Sequence, residues 1–199
     1  MELLTWTLQA IGLFMATNID DIIVLSLFYA RGAGQRGTTA KILGGQYLGF
    51  GAILAAAVLV ALSARTFLPE EVIPYFGLIP LFLGLLAAWR VWRGDDDDDA
   101  GEVSGKSLSV LTIAAVTFAN GGDNIGVYVP VFVTVGPTAM VAYCIAFLAM
   151  VAVLVAIAKY VATRKPIAEV LERWEHILFP IVLIGLGVVI LLEGGAFGL

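Results

Sequence analysis

Three aspartates lie inside apolar segments of membrane-spanning length, and they constrain this chain more than any other feature. Asp20 and Asp21 fall in the first such segment and Asp123 falls in the fourth. Each Asp near a bilayer centre costs roughly 2.5–3.5 kcal/mol on insertion scales, so all three call for compensation. Every Arg and Lys lies at a segment end or in a loop. Carboxylates without a basic partner in the membrane predict a cation site or pathway.

The apolar segments predict an all-α membrane protein with six transmembrane helices. The chain is 60% hydrophobic and 14% charged, whereas soluble domains are about 25% charged. A helix needs ~20 apolar residues to cross the hydrocarbon core. Six runs reach or approach that length, at approximately 3–30, 42–64, 72–91, 108–135, 139–161 and 177–193.

The basic residues predict the orientation of the chain. Of the eleven Arg and Lys residues, ten lie in the connections after the first, third and fifth segments, and only Arg65 lies on the other side. The positive-inside rule therefore places these connections in the cytoplasm and both termini outside. The acidic run Asp95–Asp99 falls in an inside loop, and whether it contacts metal is left open. An amphipathic stretch within 162–176 is expected on the membrane surface.

The two halves of the chain resemble each other. An offset of 103 residues places 15–24 over 118–127, with Asp20 on Asp123 and Asp21 on Asn124. An odd number of spans in each half would insert the halves with opposite orientations, as in many secondary transporters. We expect a first three-helix repeat (1–93), an acidic cytoplasmic linker (94–107) and a second repeat (108–199) in one transmembrane domain.

The acids stand in two short polar stretches that predict helix breaks. The stretches are Thr17-Asn18-Ile19-Asp20-Asp21 and Asn120-Gly121-Gly122-Asp123-Asn124. Consecutive residues of an unbroken helix point about 100° apart, so Asp20 and Asp21 would not face one ion. Gly121 and Gly122 favour unwinding. We expect the first and fourth helices to be broken or kinked, with the site between the repeats.

Facing breaks would form an oxygen-rich cage of the kind that divalent cations prefer. The candidate metal ligands are Asn18, Asp20, Asp21, Asn120, Asp123 and Asn124. Candidates for the path or the surrounding shell are Thr17, Gln46, Gly121, Gly122 and Cys144. Hydrogen bonding between helices is the alternative role for Thr17, Asn18, Gln46 and Asn120. Cys144, the only thiol, is more often a small buried hydrophobe, and Gly45 with Gly49 favours close helix packing.

The chain shows no phosphate loop, nucleophile elbow or His-rich zinc motif. We therefore expect no enzyme activity, no ATP hydrolysis and no resident cofactor, with the metal ion as substrate. Three carboxylates at one site would not comfortably all stay ionised after the ion leaves. Proton antiport with alternating access is the expected mechanism, and Asp21 is the expected proton carrier because its repeat partner Asn124 does not titrate.

Three motifs carry a resemblance to a known family. They are residues 16–22, 45–50 and 118–130, the last containing Asn-Gly-Gly-Asp-Asn. The chain resembles the cadmium resistance transporter family, within the lysine exporter superfamily. The resemblance implies efflux of Cd²⁺ or similar divalent cations across the cytoplasmic membrane of a prokaryote. By position it carries the same six candidate ligands, and a mainly oxygen site leaves Zn²⁺, Mn²⁺ and Ca²⁺ open.

Two other functions stay open. Export of a small cationic solute such as lysine would use the same acids, but it would also need groups for the solute's carboxylate, and no basic residue lies within the spans to supply one. A non-transporting membrane sensor or subunit would use the polar stretches to bind a partner helix, and an inverted repeat argues against it. The expected partners are the metal cation, protons and the lipid bilayer, with no nucleic acid and an oligomeric state that the sequence leaves open.

Overall fold

The computed structural model describes residues 2–93, 108–164, 177, 180–192 and 194–196. Within these residues it is helical and contains no strand, which confirms the predicted all-α class. The helices are α1 (Glu2–Thr17), α2 (Ile19–Arg31), α3 (Thr38–Phe67), α4 (Leu78–Arg93), α5 (Val110–Asn120), α6 (Gly122–Thr134), α7 (Pro137–Val161) and α8 (Pro180–Leu192), and a 3-10 helix (Glu70–Gly77) precedes α4. The predicted acidic linker 94–107, with Asp95–Asp99, and most of the amphipathic stretch lie outside the described residues.

Fewer continuous helices than six are long enough to cross a membrane. In the described part of the chain, three pass by length and composition: α3, the stretch Glu70–Arg93, and α7. The pair α1 and α2 adds a fourth if the two count as one bent span. The predicted fourth span is divided into α5, of 11 residues, and α6, of 13 residues. The helix α8 is also short, so the six-span inverted arrangement remains a prediction.

Both predicted helix breaks are present. The axis bends by 59° between α1 and α2, around Asn18, whose backbone is non-helical. The second break lies at Gly121, between α5 and α6. Asn18 and Gly121 are separated by the same 103-residue offset that relates the two halves, and the helices that follow them each have 13 residues.

Local chemistry explains why each break is tolerated. At the first, the Thr17 hydroxyl donates to the Leu13 carbonyl over 3.1 Å, and the Asn18 amide donates to the Phe14 carbonyl over 2.8 Å. Side chains thus satisfy backbone carbonyls in the last turn of α1, as a buried helix end requires. At the second, a Cβ added to Gly121 would collide with the side chain of Ile53, so glycine is the residue that leaves this side chain in place.

Each long helix packs against the broken helix of the other half. The helix α3 contacts α5 and α6, while α7 contacts α1 and α2, and α3 and α7 contact each other. The helices α3 and α5 lie so close that a Cβ at Gly49 would be 2.7 Å from the Ala114 carbonyl oxygen, and a Cβ at Gly45 would be 2.9 Å from the Val110 carbonyl oxygen. This confirms the packing role predicted for the two glycines.

A cluster of aromatic side chains forms the centre of this arrangement. Its fully buried members come from α1, α3, α6 and α7 and are Phe14, Phe50, Tyr128, Phe132 and Phe147. The rings of Tyr128 and Phe147 have centroids 4.7 Å apart. Aromatic contacts of this kind fix the positions of the helices around the two breaks.

Candidate functional site

Asp21 accepts hydrogen bonds from side-chain amides on two other helices. The Gln46 Nε2 of α3 donates to Asp21 Oδ2 over 2.8 Å, and the Asn120 Nδ2 of α5 donates to Oδ1 over 3.3 Å. Asn120 also donates to Asp20 Oδ2 over 2.7 Å. Asn120 therefore bridges the two carboxylates, and the predicted ligands Asp20, Asp21 and Asn120 meet where α2, α3 and α5 converge.

Gln46 is held at its other end as well. Thr117 Oγ1 donates to Gln46 Oε1 over 2.6 Å, and both side chains are buried. Gln46 therefore makes the hydrogen bonds between helices that were one of its two predicted roles. Thr117 was not predicted as part of the site. The available signal was its spacing, three residues before Asn120, which puts both side chains on one face of α5.

A second network surrounds the break at Asn18. The Asn18 Nδ2 donates to the Tyr128 hydroxyl over 3.0 Å, and the hydroxyls of Tyr128 and Thr17 are 2.9 Å apart. Because Thr17 donates its proton to the Leu13 carbonyl, Tyr128 is the donor in that pair. Tyr128, completely buried on α6, was also missed, although it belongs to the motif 118–130.

Two buried amide oxygens have no hydrogen-bond donor among the described residues. They are Asn18 Oδ1 and Asn124 Oδ1, and their side chains are 1% and 4% exposed. An unsatisfied buried polar group costs about 1–3 kcal/mol. A cation is one partner that can satisfy a buried amide oxygen, and that is the ligand role that the sequence predicts for both residues.

Asp123 stands apart from the hydrogen-bonded group of Asp20, Asp21 and Asn120. Its described hydrogen bond is local, from the backbone N–H of Asn124 to Oδ1 over 2.8 Å. Asp20 acts on it electrostatically, as it does on Asp21. Within the described residues, no three His, Cys, Asp or Glu side chains are placed to hold one metal ion. The predicted cage of three carboxylates is therefore not closed in this structure.

The carboxylates lie at helix N-termini rather than beside bases. Asp20 and Asp21 occupy the first turn of α2, and Asp123 occupies the first turn of α6. The helix dipole favours an anion there by about 0.3–1 kcal/mol, up to ~2 when partly buried, less than the cost of inserting an Asp. Among the described residues, the groups that act on these acids are amides, backbone and other acids, not Arg or Lys.

The remaining predicted residues lie around the site or away from it. Gly121 forms the second break, and a Cβ on the exposed Gly122 would meet open space. Thr17 belongs to the Asn18 network. Cys144 is half-buried on α7, packed against the apolar core, and the structure does not join it to either network.

Comparison with known proteins gives one match. The family model described as cadmium resistance transporter matches residues 14–199, nearly the whole chain. Neither the curated proteins nor the solved structures include a match to it. The long apolar helices and this match identify a multi-pass membrane protein. The chain therefore belongs to the cadmium resistance transporter family.

Proposed function

We propose that the protein exports divalent cations, Cd²⁺ or similar ions such as Zn²⁺ and Mn²⁺, from a prokaryotic cytoplasm by alternating access at the two helix breaks. The observation that carries this proposal concerns the described residues: among them, no Arg or Lys acts on the three acids, and two buried amide oxygens have no donor. A desolvated cation would neutralise the acids and would be a partner for the amide oxygens.

The ligands in this proposal come from both halves of the chain. Asp20, Asp21 and Asn18 belong to the first half, and Asp123 and Asn124 belong to the second. In the described state Asn120 donates hydrogen bonds to two carboxylates. An entering cation would replace these bonds. Binding would then draw Asp123 toward Asp20, which closes the cage that this structure leaves open.

The donor chemistry bears on which ions are carried. Carboxylate and amide oxygens suit hard and borderline cations, whereas Cd²⁺ favours thiolate ligands. In the part of the chain that the structure describes, the thiol residue Cys144 is half-buried and packs against the apolar core. We therefore include Zn²⁺ and Mn²⁺ beside Cd²⁺ in the proposed substrate range.

We assign the driving force to proton antiport, with Asp21 as the proposed proton carrier. Without a cation, the adjacent carboxylates of Asp20 and Asp21 repel each other, and a proton on one of them relieves that repulsion. Protons and metal would then compete for the same oxygens, so metal affinity should fall as the pH is lowered.

Uptake into proteoliposomes tests these proposals together. An imposed pH gradient should drive uptake of Cd²⁺, Zn²⁺ or Mn²⁺ by the purified protein, with protons moving in the opposite direction. Lysine should not be carried. Asp20→Asn serves as the matched inactive variant because it removes one charge at nearly constant volume. Metal transport that is insensitive to pH would refute proton coupling. Lysine transport without metal transport would refute the substrate class.

A further inference from the structure

The side-chain amide of Gln46 is fixed at both ends. Its oxygen accepts from the Thr117 hydroxyl over 2.6 Å, and its nitrogen donates to Asp21 Oδ2 over 2.8 Å. The Gln46 side chain is fully buried and Thr117 is 3% exposed, so water does not compete for these bonds. The result is a directed chain from α5 through α3 to the acid on α2.

Thr117 and Asp21 hold the two ends of the Gln46 amide. An amide has a donor end and an acceptor end of nearly the same shape, so packing alone does not choose between its two orientations. The Thr117 hydroxyl has one proton, and Gln46 Oε1 is its described acceptor. The ionised Asp21 carboxylate only accepts, so it selects the orientation that directs Nε2 at it, and the Thr117 hydroxyl holds Oε1 at the other end of the amide.

We propose that Thr117 is a positioning residue for the metal site, which acts through Gln46 to hold Asp21 in its ligand geometry. This inference rests on the proposed function, since it assigns a role in cation binding. Thr117 itself does not contact the ion. Its effect reaches the site only through the orientation of one amide.

The position of Thr117 restricts which variants are informative. A Cβ on Gly49 would lie 2.7 Å from the Thr117 Cβ, so α3 and α5 have no room here for a larger side chain. Thr117→Val keeps the shape and removes the hydroxyl, while Thr117→Ser keeps the hydroxyl. Thr134→Val is a matched control because the Thr134 hydroxyl donates only to carbonyls of its own helix, α6, in the described structure.

Metal affinity of the full chain in detergent, measured by calorimetry with Cd²⁺, Zn²⁺ and Mn²⁺, is the first test. Thr117→Val should weaken binding about tenfold, which corresponds to the upper end of what one neutral hydrogen bond contributes. Thr117→Ser should restore most of the affinity, and the control variant should bind like the wild type. In a Gln46→Leu background, Thr117→Val should cause no further loss, because its effect passes through Gln46.

The infrared carboxylate bands of the metal-free protein give a second test that does not require metal binding. Thr117→Val should shift a carboxylate band, and the shift should disappear in the Gln46→Leu background and in Asp21→Asn. Additive effects of the two substitutions, or an unshifted spectrum with unchanged affinity, would overturn the positioning role. If Thr117→Val shows the infrared shift but the wild-type protein binds none of the metals, the proposed function is contradicted instead.

Discussion

Tyr128→Phe tests whether the hydrogen bonds at the first helix break support metal binding as well as stability. The phenol oxygen accepts from Asn18 over 3.0 Å and lies 2.9 Å from the Thr17 hydroxyl, while the ring itself packs on Phe132 and Phe147. Phenylalanine keeps the ring and removes both hydrogen bonds. At about 0.5–1.5 kcal/mol each, their loss should lower the free energy of unfolding by roughly 1–3 kcal/mol.

The same substitution should weaken metal binding. Without Tyr128, the Asn18 amide keeps its bond to the Phe14 carbonyl but loses its link to α6, the helix that begins with Asp123. The carbonyl oxygen of Asn18 is then no longer fixed relative to the second half of the site. A loss worth about one hydrogen bond, ~1.4 kcal/mol, corresponds to a tenfold lower affinity.

Tyr143→Phe provides the matched control. Tyr143 belongs to the same aromatic cluster through Phe147, and its hydroxyl donates to Gln9 Oε1 over 3.1 Å, outside both networks of the site. It should destabilise the protein by about 0.5–1.5 kcal/mol for the one bond and leave affinity unchanged. Calorimetric titration and thermal unfolding of both variants decide the matter. If Tyr128→Phe loses stability but retains full affinity, Asn18 is not a positioned ligand and the reasoning fails.

Three further predictions address the site, the packing and the topology. Asp20→Asn and Asp123→Asn should each abolish metal binding while folding is largely retained, because each removes a charge that is costly to insert; wild-type affinity in both would refute the site. Gly49→Ala should destabilise the protein by about 1–3 kcal/mol, because the added methyl group overpacks against α5. Gly51→Ala is the control and should be neutral or stabilising, because a Cβ there meets open space. Thermal unfolding of both variants measures the difference. The Ser104→Cys variant should not react at this position with an impermeant thiol reagent in intact cells, because the positive-inside rule places residue 104 in the cytoplasm. Ready labelling would contradict the predicted topology.

The positions of the helix breaks could be predicted because their causes are local. Asn18 follows a Thr that bonds back to the preceding turn, and Gly121 begins a Gly pair. Both break an apolar run with residues that either satisfy freed backbone groups or need no side-chain space. The matching 103-residue offset then followed from aligning the rare polar residues.

The number of spanning helices was less accessible to the same reasoning. Hydropathy is averaged over a window, so the run 108–135 reads as one segment whether or not its helix is continuous. The glycine pair predicts that the helix can break at Gly121, but the approach of Ile53 from α3, where an added Cβ would collide, is a tertiary contact. Periodicity within one segment carries no information about it.

The partners inside the site were also out of reach. The residues Asn18 and Tyr128 are 110 positions apart, and Gln46 and Thr117 are 71 positions apart. Helical spacing shows that a polar side chain faces other helices but not which helix supplies its partner. For this reason Gln46 was left with two possible roles, and Thr117 and Tyr128 passed as ordinary polar residues of an apolar span.

The hydrogen bonds of the site cross between the two halves of the chain. Asn120 of the second half binds Asp20 of the first, and Tyr128 of the second half binds Asn18 of the first. The long helices α3 and α7 likewise each pack on the broken helix of the other half. A movement of one half against the other, as alternating access requires, must therefore break or exchange these bonds. Because a cation would bind to the same carboxylates and amide oxygens, its arrival and departure would change the energy of that movement directly, so we expect the occupancy of the site and the relative position of the halves to be coupled without any further device.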